Sequence, residues 1–592
     1  MTTTGYTPPS AFTTRPQLTG TFGMAASTHA TATAVAQAVL ERGGNAFDAA
    51  CAGGFVLHIV EPHLNGPGGD LVGLFQPADN ATPTVLMGQG AAPAGATVAH
   101  LVQQGLDLVP GAGGLAAAIP AAVDAWLLLL RDHGTWSVAD VVSYAIGYAE
   151  EGHPFLPSAA ATIDRVADLF RDHWPSSAHL WLANGEPPRP GELHRNPAYG
   201  AVLRRLAAAG TSGHERRERI DAARAEWRRL LADACDFLAS PHRHSSGTDH
   251  AAVLAPADLV DPPARYEAPL SVTFRGRTVF KADAWSQGPA LLEALHVLEP
   301  LPDERLDPST EVGAHTLIEV LKLVLADRDA YFGDGADVAA LLTDAVAAAR
   351  RAEIGGHASA QWRPATLPGA RPWHPPLRRE GGAAVGTGEP TVARTGDTRG
   401  DTCHIDVVDR WGNIVSVTPS GGWLQSSPTI PSLGFCLGTR LQMCWLDESS
   451  PAALRPGHRP RTTLSPTLVH DGDTRIALGT PGGDQQDQWQ LPMLLRMLVG
   501  GYTAQQAIDA PTLHTSAMVD SFWPRTWDPT GVAAEGRLGE DVLAGLARRG
   551  HHVTPVGDWS LGRLSAVGRD GGTGILWAAA NPRGMQGYAA GR

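Results

Sequence analysis

A threonine at the head of a short apolar hairpin is the residue of this chain best placed for covalent chemistry. The run Asp401-Thr402-Cys403-His404-Ile405-Asp406-Val407-Val408-Asp409-Arg410-Trp411-Gly412-Asn413-Ile414-Val415-Ser416-Val417-Thr418 reads as two strands around a tight turn. Ile405 and Val407, then Val415 and Val417, recur at period two, and residues 410–413 carry turn chemistry. Residues 380–400, just ahead, are polar and rich in Gly, Thr and Arg. Cleavage of the Asp401–Thr402 bond in such a loop would free the Thr402 α-amine, which can act as base for its own hydroxyl. Cys403 reads as a small apolar strand residue. His404 shares the strand face of Thr402 and reads as structural.

Other chemistry-bearing stretches carry less. Glu61-Pro62-His63-Leu64-Asn65-Gly66-Pro67-Gly68-Gly69-Asp70 is a glycine-rich turn feeding a strand over 71–76. It lacks the Gly-Lys-Ser/Thr ending of a phosphate cradle, so it reads as a turn where backbones pack closely. Gly482-Gly483, on its own, reads as a loop turn. The five cysteines, Cys51, Cys235, Cys403, Cys436 and Cys444, show no metal-ligand spacing and are expected as reduced thiols. No metal or cofactor is expected.

The elements that must position these residues follow from periodicity and caps. Ser27 is expected to N-cap a helix with Ala32, Val35, Ala36, Val39 and Leu40 on its apolar face, ending at Gly43-Gly44. Asn45 then opens an almost wholly apolar helix over 46–60, buried on all sides. Residues 116–152 read as helical and 213–238 as a charged, solvated helical insertion. Two strands flank Arg275-Gly276-Arg277, and 288–298 and 313–331 read as amphipathic helices. The Pro/Gly/Arg-rich stretch 364–400 is expected to have little order. Beyond Thr402 the chain reads as strand-rich to Leu478, then helical over 488–499.

The 592 residues are 43% hydrophobic and 18% charged, ordinary for a globular enzyme and long enough for two or three domains. The net charge of -14 argues against nucleic acid and anionic membranes as partners. A small anionic substrate held by local cations is compatible with it. No run of 18 apolar residues suggests a transmembrane span. Residues 1–18 lack the basic start and apolar stretch of a signal peptide, which points to the cytoplasm.

Six ordered segments resemble the γ-glutamyltransferase (glutathione hydrolase) family of N-terminal-nucleophile hydrolases. They are Gly23-Met24-Ala25-Ala26-Ser27 with Arg42-Gly43-Gly44-Asn45-Ala46-Phe47-Asp48; Val60-Glu61-Pro62 with Asn65-Gly66-Pro67-Gly68-Gly69-Asp70; Phe274-Arg275-Gly276-Arg277-Thr278-Val279 with residues 322–334; Thr402-Cys403-His404 through Gly412-Asn413; Pro456-Gly457-His458-Arg459-Pro460 through Ser465-Pro466-Thr467; and Gly479-Thr480-Pro481-Gly482-Gly483. The resemblance implies an α/β (α+β) fold, an αββα four-layer sandwich formed jointly by a large subunit, 1–401, and a small subunit, 402–592, cut from one precursor. The resulting heterodimer could pair further. It implies attack of the Thr402 hydroxyl on the Asp401 carbonyl to release the small subunit. An acyl-Thr402 intermediate would then form from a small-molecule amide, a γ-glutamyl compound such as glutathione or, as the alternative, a small non-glutamyl amide acid such as oxamate, and pass to water or an amine. Gly482 and Gly483 match the family's oxyanion hole. Ser420 falls where the family has a second Thr beside the nucleophile. Thr462 and Thr463 fall where adjacent hydroxyls hold a substrate carboxylate; plain strand residues are the alternative.

The glutamyl-recognition set departs from the family. Its Arg-Glu-x-Ala-Pro motif is matched by Gly88-Gln89-Gly90-Ala91-Ala92-Pro93, and Gln89 cannot form the bidentate, charged clamp of an Arg. Gly422 replaces an Asn that helps bind the glutamyl amine, and Leu437-Gly438-Thr439-Arg440-Leu441-Gln442-Met443 lacks the expected acidic pair. This pattern resembles the glutathione-hydrolase-like and oxamate amidohydrolase branch, as do Gly482-Gly483-Asp484-Gln485-Gln486-Asp487-Gln488-Trp489 and Ser246-Gly247-Thr248-Asp249-His250. Arg440 is a candidate replacement anchor for a carboxylate; a salt-bridged or surface arginine is the alternative. An unprocessed, non-catalytic member and a transferase to an amine acceptor are the other readings of the chain.

Overall fold

The structure, a computed structural model, describes residues 5–379 and 402–592. Asp401 and the rest of 380–401 lie outside the described residues. Fourteen strands make the two main sheets. They are β1 (Leu18–Gly20), β2 (Gly23–Ser27), β3 (Asp70–Gln76), β4 (Thr84–Gly88), β5 (Arg265–Glu267), β6 (Leu270–Phe274), β7 (Arg277–Lys281), β8 (Ile405–Asp409), β9 (Ile414–Ser420), β10 (Thr467–Asp471), β11 (Thr474–Gly479), β12 (Ser565–Arg569), β13 (Leu576–Ala580) and β14 (Tyr588–Gly591). One seven-stranded sheet has the order β14-β2-β8-β9-β3-β4-β5 and the other β1-β13-β12-β11-β10-β7-β6. Every pairing within them is antiparallel.

The expected hairpin is present, with Ile405 opposite Val417 on one side and Ser27 on the other. Its turn is closed by Asp409, whose Oδ1 accepts the N–H groups of Trp411, Gly412 and Asn413, each at 3.0 Å. Period two then sorts the side chains. Cys403, Ile405 and Val407 pack on the helices Ala30–Glu41 and Ala46–Val60, while Val408 and Ile414 face the second sheet. A separate core against the far sheet gathers the helices Gly288–Leu298, Glu311–Tyr331 and Gln486–Leu498. Helices, two sheets and helices therefore stack as the αββα layers expected.

Several local expectations are corrected by tertiary context. Ser27 is the last residue of β2, and its pairing with Ile405 removes it from the cap position; His29 caps the helix, its Nδ1 accepting from the Thr31 N–H at 3.0 Å. Asn45 does cap the helix Ala46–Val60, every residue of which is buried. Residues 116–152 split into the helices Ala122–His133 and Val138–Glu151, because Ser137 starts a new capped helix after Gly134. The charged segment is packed rather than solvated: helix Arg216–Leu230 buries Trp227 and pairs Arg224 with the buried Asp124 at 2.8 and 3.0 Å. Helix Glu311–Tyr331 is buried along nearly its whole length instead of amphipathic, and its charges are paired internally, Lys322 with Glu319 and Arg350 with Asp327. The described part of 364–379 is also packed, with Ala365, Leu367 and Trp373 buried. Beyond Thr402, residues 421–466 contribute no strand to the two sheets. Among the described residues no helix is long and apolar enough to cross a membrane.

Candidate active site

The sequence-predicted residues, joined by Asp70, converge on one end of the sandwich. Thr402 precedes β8, Ser420 ends β9, Asp70 opens β3, Gln89 follows β4, and Gly482 and Gly483 lie just past β11. A β-bridge joins Thr402 to Ser420, and their hydroxyl oxygens stand 3.2 Å apart, both buried. The Cys403 N–H donates to Pro419 O at 3.0 Å and fixes the backbone beside them. Cys403 points to the helix side, where its thiol donates to Glu61 at 3.0 Å; burial and that carboxylate push the thiol's pKa well up, so it stays protonated.

The loop after β11 starts beside His404, two residues from Thr402. Gly479 packs directly on His404, where a Cβ would sit 2.2 Å from the ring. Gly482 has φ 135° and Gly483 φ 53°, backbone that side chains disfavour. A Cβ on Gly482 would lie 2.2 Å from the Trp489 ring. Neither glycine N–H donates a hydrogen bond among the described residues. Two buried, open N–H groups at a tight turn are the donors that an oxyanion requires.

His404 is structural. Its Nδ1 meets Thr418 Oγ1 at 2.8 Å and its Nε2 meets Asp406 Oδ1 at 2.9 Å, and Asp406 also accepts from Ser416 and Ser565. This network tethers the two sheets beneath the site.

The glycine-rich turn serves close packing, as expected. A Cβ at Gly66, Gly68 or Gly69 would meet the carbonyl oxygen of Gly422, Cys436 or Ser420, each at 2.2 Å. The same crowding explains Gly422, which has φ 61° and lies with its virtual Cβ 2.8 Å from Gly69 N. No asparagine fits there. Arg440 is not an open anchor: its Nε and Nη2 grip both oxygens of Asp70 at 2.6 and 2.7 Å. Burial pushes the Asp70 carboxyl up, opposed chiefly by the Arg440 charge and then by hydrogen bonds from Arg440 and Gln89. Gln89 therefore sits against this ion pair.

Thr462 N donates to Trp285 O at 2.8 Å, and the Thr463 hydroxyl is buried with no hydrogen-bond partner among the described residues. Behind the glycine pair, Asp484 accepts from Ser521 N at 2.8 Å and Ser521 Oγ at 2.6 Å, and it is paired with Arg328. The sequence reading missed Asp70, Arg328 and Asp484 as a support for the site. The signal for Arg328 was Asp327-Arg328-Asp329 inside an otherwise apolar helical run, where a charge trio demands internal partners.

Residues 32–591 match the gamma-glutamyltranspeptidase family model. The glutathione hydrolase-like YwrD proenzyme of Bacillus subtilis (strain 168) is 30% identical over 577 residues, covering 95% of this chain and 98% of the relative. The oxamate amidohydrolase proenzyme of Klebsiella pneumoniae is 29% identical over 586 residues, covering 96% and 98%. The solved structure of LmbA2991HD superimposes with a TM-score of 0.92 at 50% identity, covering 98% of this chain and 100% of that one. With nearly its full length matched, the chain belongs to the gamma-glutamyltranspeptidase family of hydrolases and acyltransferases.

Proposed function

We propose that Thr402 is the nucleophile of a self-processed amidohydrolase, cut between Asp401 and Thr402 into a large subunit, 1–401, and a small subunit, 402–592. The observation carrying this reading is the buried Thr402 hydroxyl, 3.2 Å from Ser420 Oγ, at the end of the sandwich where the Gly482 and Gly483 N–H groups stand open. Once freed, the Thr402 α-amine has an ordinary pKa of about 7.7–8.0, so a useful fraction is neutral near pH 7. It takes the hydroxyl proton as Oγ1 attacks the substrate carbonyl. The two glycine N–H groups stabilise the resulting oxyanion, and the amine returns the proton to the leaving nitrogen. Water, or an amine, then releases the acyl group from Thr402. Ser420 orients the nucleophile from the neighbouring strand.

The substrate is an amide that gives up a small, carboxylate-bearing acyl group, with oxamate-like substrates favoured over γ-glutamyl ones. Gln89 replaces the guanidinium clamp, Gly422 leaves no room for an amide, and Arg440 is held by Asp70. Denaturing electrophoresis is expected to show two bands for the native protein and one for Thr402→Ala, which should also lose all hydrolysis. A single uncut, active native chain would end this reading. Hydrolysis of oxamate, glutathione and a γ-glutamyl anilide is then measured side by side; turnover of the last two without oxamate would reverse the substrate preference.

A further inference from the structure

Among the described residues, a buried charge cluster around Asp484, the residue after the glycine pair, holds more arginines than carboxylates. Arg328, Arg461 and Arg525 cluster around Asp329 and Asp484. Arg328 takes both carboxylates, bonding Asp329 Oδ1 through Nε at 3.0 Å and Nη2 at 2.9 Å and pairing Nη1 with Asp484. Arg525 lies over the Trp445 ring at 3.9 Å and donates to Gln442 O at 2.6 Å and Cys444 O at 3.1 Å. The Cys444 thiol, pushed up to about 12 by burial, supplies no negative charge near neutral pH. Arg461 is 4% exposed, yet among the described residues its Nη2 reaches only the neutral Ser521 Oγ at 2.8 Å. Its Nη1 is buried with no hydrogen-bond partner among the described residues, and two residues on the Thr463 hydroxyl is in the same condition. Burial, reinforced by the Arg328 charge, lowers the Arg461 pKa to about 10, so the guanidinium remains charged. Asp329 and Asp484 act on Arg461 through space but neither forms a direct ion pair with it among the described residues, and a buried cation so placed is stabilised by an arriving anion.

Position ties this gap to the acyl side of the site. Ser521 links Arg461 to Asp484, the residue after the open glycine pair. Phe522, next in sequence, packs with Trp423 and Met443, and Arg440 lies over Trp423 at 5.6 Å while holding Asp70, the strand partner of Ser420. We propose that Arg461 is the anchor for a carboxylate on the acyl group, bound through its open Nη1 together with the Thr463 hydroxyl. The enzyme then selects acyl groups that carry a carboxylate and rejects neutral ones, which would leave the cation unpaired. The inference rests on Thr402 as nucleophile and moves the anchor away from both Gln89 and Arg440.

The test uses the processed enzyme and its Arg461→Gln and Arg461→Lys forms. Calorimetric titration with glutarate, which carries no amide to hydrolyse, is expected to show binding to the native enzyme, weakened about 100-fold by Arg461→Gln and less by Arg461→Lys. On glutaryl anilide, Arg461→Gln should lower kcat/KM by a similar factor, mainly through KM, while the methyl ester of the same anilide changes less than about threefold. Equal losses on acid and ester, unchanged anion affinity, or no anion binding to the native enzyme would overturn the anchor. Two-band processing in each variant reports folding. Anion binding that depends on Arg461 in a chain that neither cuts itself nor hydrolyses anilides would instead overturn the nucleophile and leave the anchor standing.

Discussion

Gly482 carries a backbone that no other residue type can reproduce. At φ 135°, with a virtual Cβ 2.2 Å from the Trp489 ring, alanine must either twist the loop or displace the indole. Either movement carries the open N–H groups away from the carbonyl they are to meet, and those groups act only through placement. Gly482→Ala is expected to lower kcat by about 10² to 10³ with a much smaller change in KM, since the loss falls on the transition state. Steady-state kinetics on the best substrate of the hydrolysis screen checks this. An equal loss carried by KM would assign the loop to substrate binding instead.

At the scale of elements, the site is held by ion pairs between segments far apart in the chain. Asp70 at the start of β3 and Arg440 from the loop beyond β9 meet in a buried bidentate pair. Arg440→Met strands a buried carboxylate and is expected to cost about 3–5 kcal/mol, whereas Asp70→Asn with Arg440→Met together should cost clearly less. Urea unfolding of the uncut Thr402→Ala chain measures both; additive losses would show that the pair is not a unit. A second prediction concerns the helices Gly288–Leu298 and Glu311–Tyr331, where Glu293 meets Asp327 and Arg350 in the far helix layer. Burial first, then the Asp327 charge, push the Glu293 carboxyl well above its ordinary value. A carboxyl raised on folding favours the native state fully below its unfolded pKa of about 4.3, and that advantage is lost as pH rises through the folded value. The urea midpoint should therefore fall with rising pH above about 5. Glu293→Gln should flatten that fall, because an amide needs no proton to stay buried; an unchanged profile would assign the dependence to other groups.

Across the whole molecule, what the sequence disclosed was what neighbours along the chain decide. Period two in Ile405 and Val407, the Asn45 cap and the apolar run 46–60 need no distant partner, and each is where expected. Ser27 misled because a capping residue can instead be claimed by a strand, and 313–331 misled because its charges find partners inside the protein. Likewise the ordered segments made Thr402 and Gly482 candidates, but the placement of Arg461 without a direct ion pair depends on which distant residues occupy Asp329 and Asp484. The same long-range construction yields a last prediction. β8 and β9, from beyond Thr402, lie between β2 and β3 from before it, and β10 lies between β7 and β11. A cut at Thr402 severs one covalent bond and none of these ladders. The segments before and after the cut also share a core on one helix side, where Cys403 and Val415 pack among Ala36, Phe55 and Trp126. The two fragments should therefore co-elute at the mass of the whole chain in native gel filtration and part only in denaturant. Residues 402–592 expressed alone should aggregate, because β8, β9 and β10 would present unpaired edges. Separation of the fragments in native buffer would mean that the interleaved sheets do not hold them together.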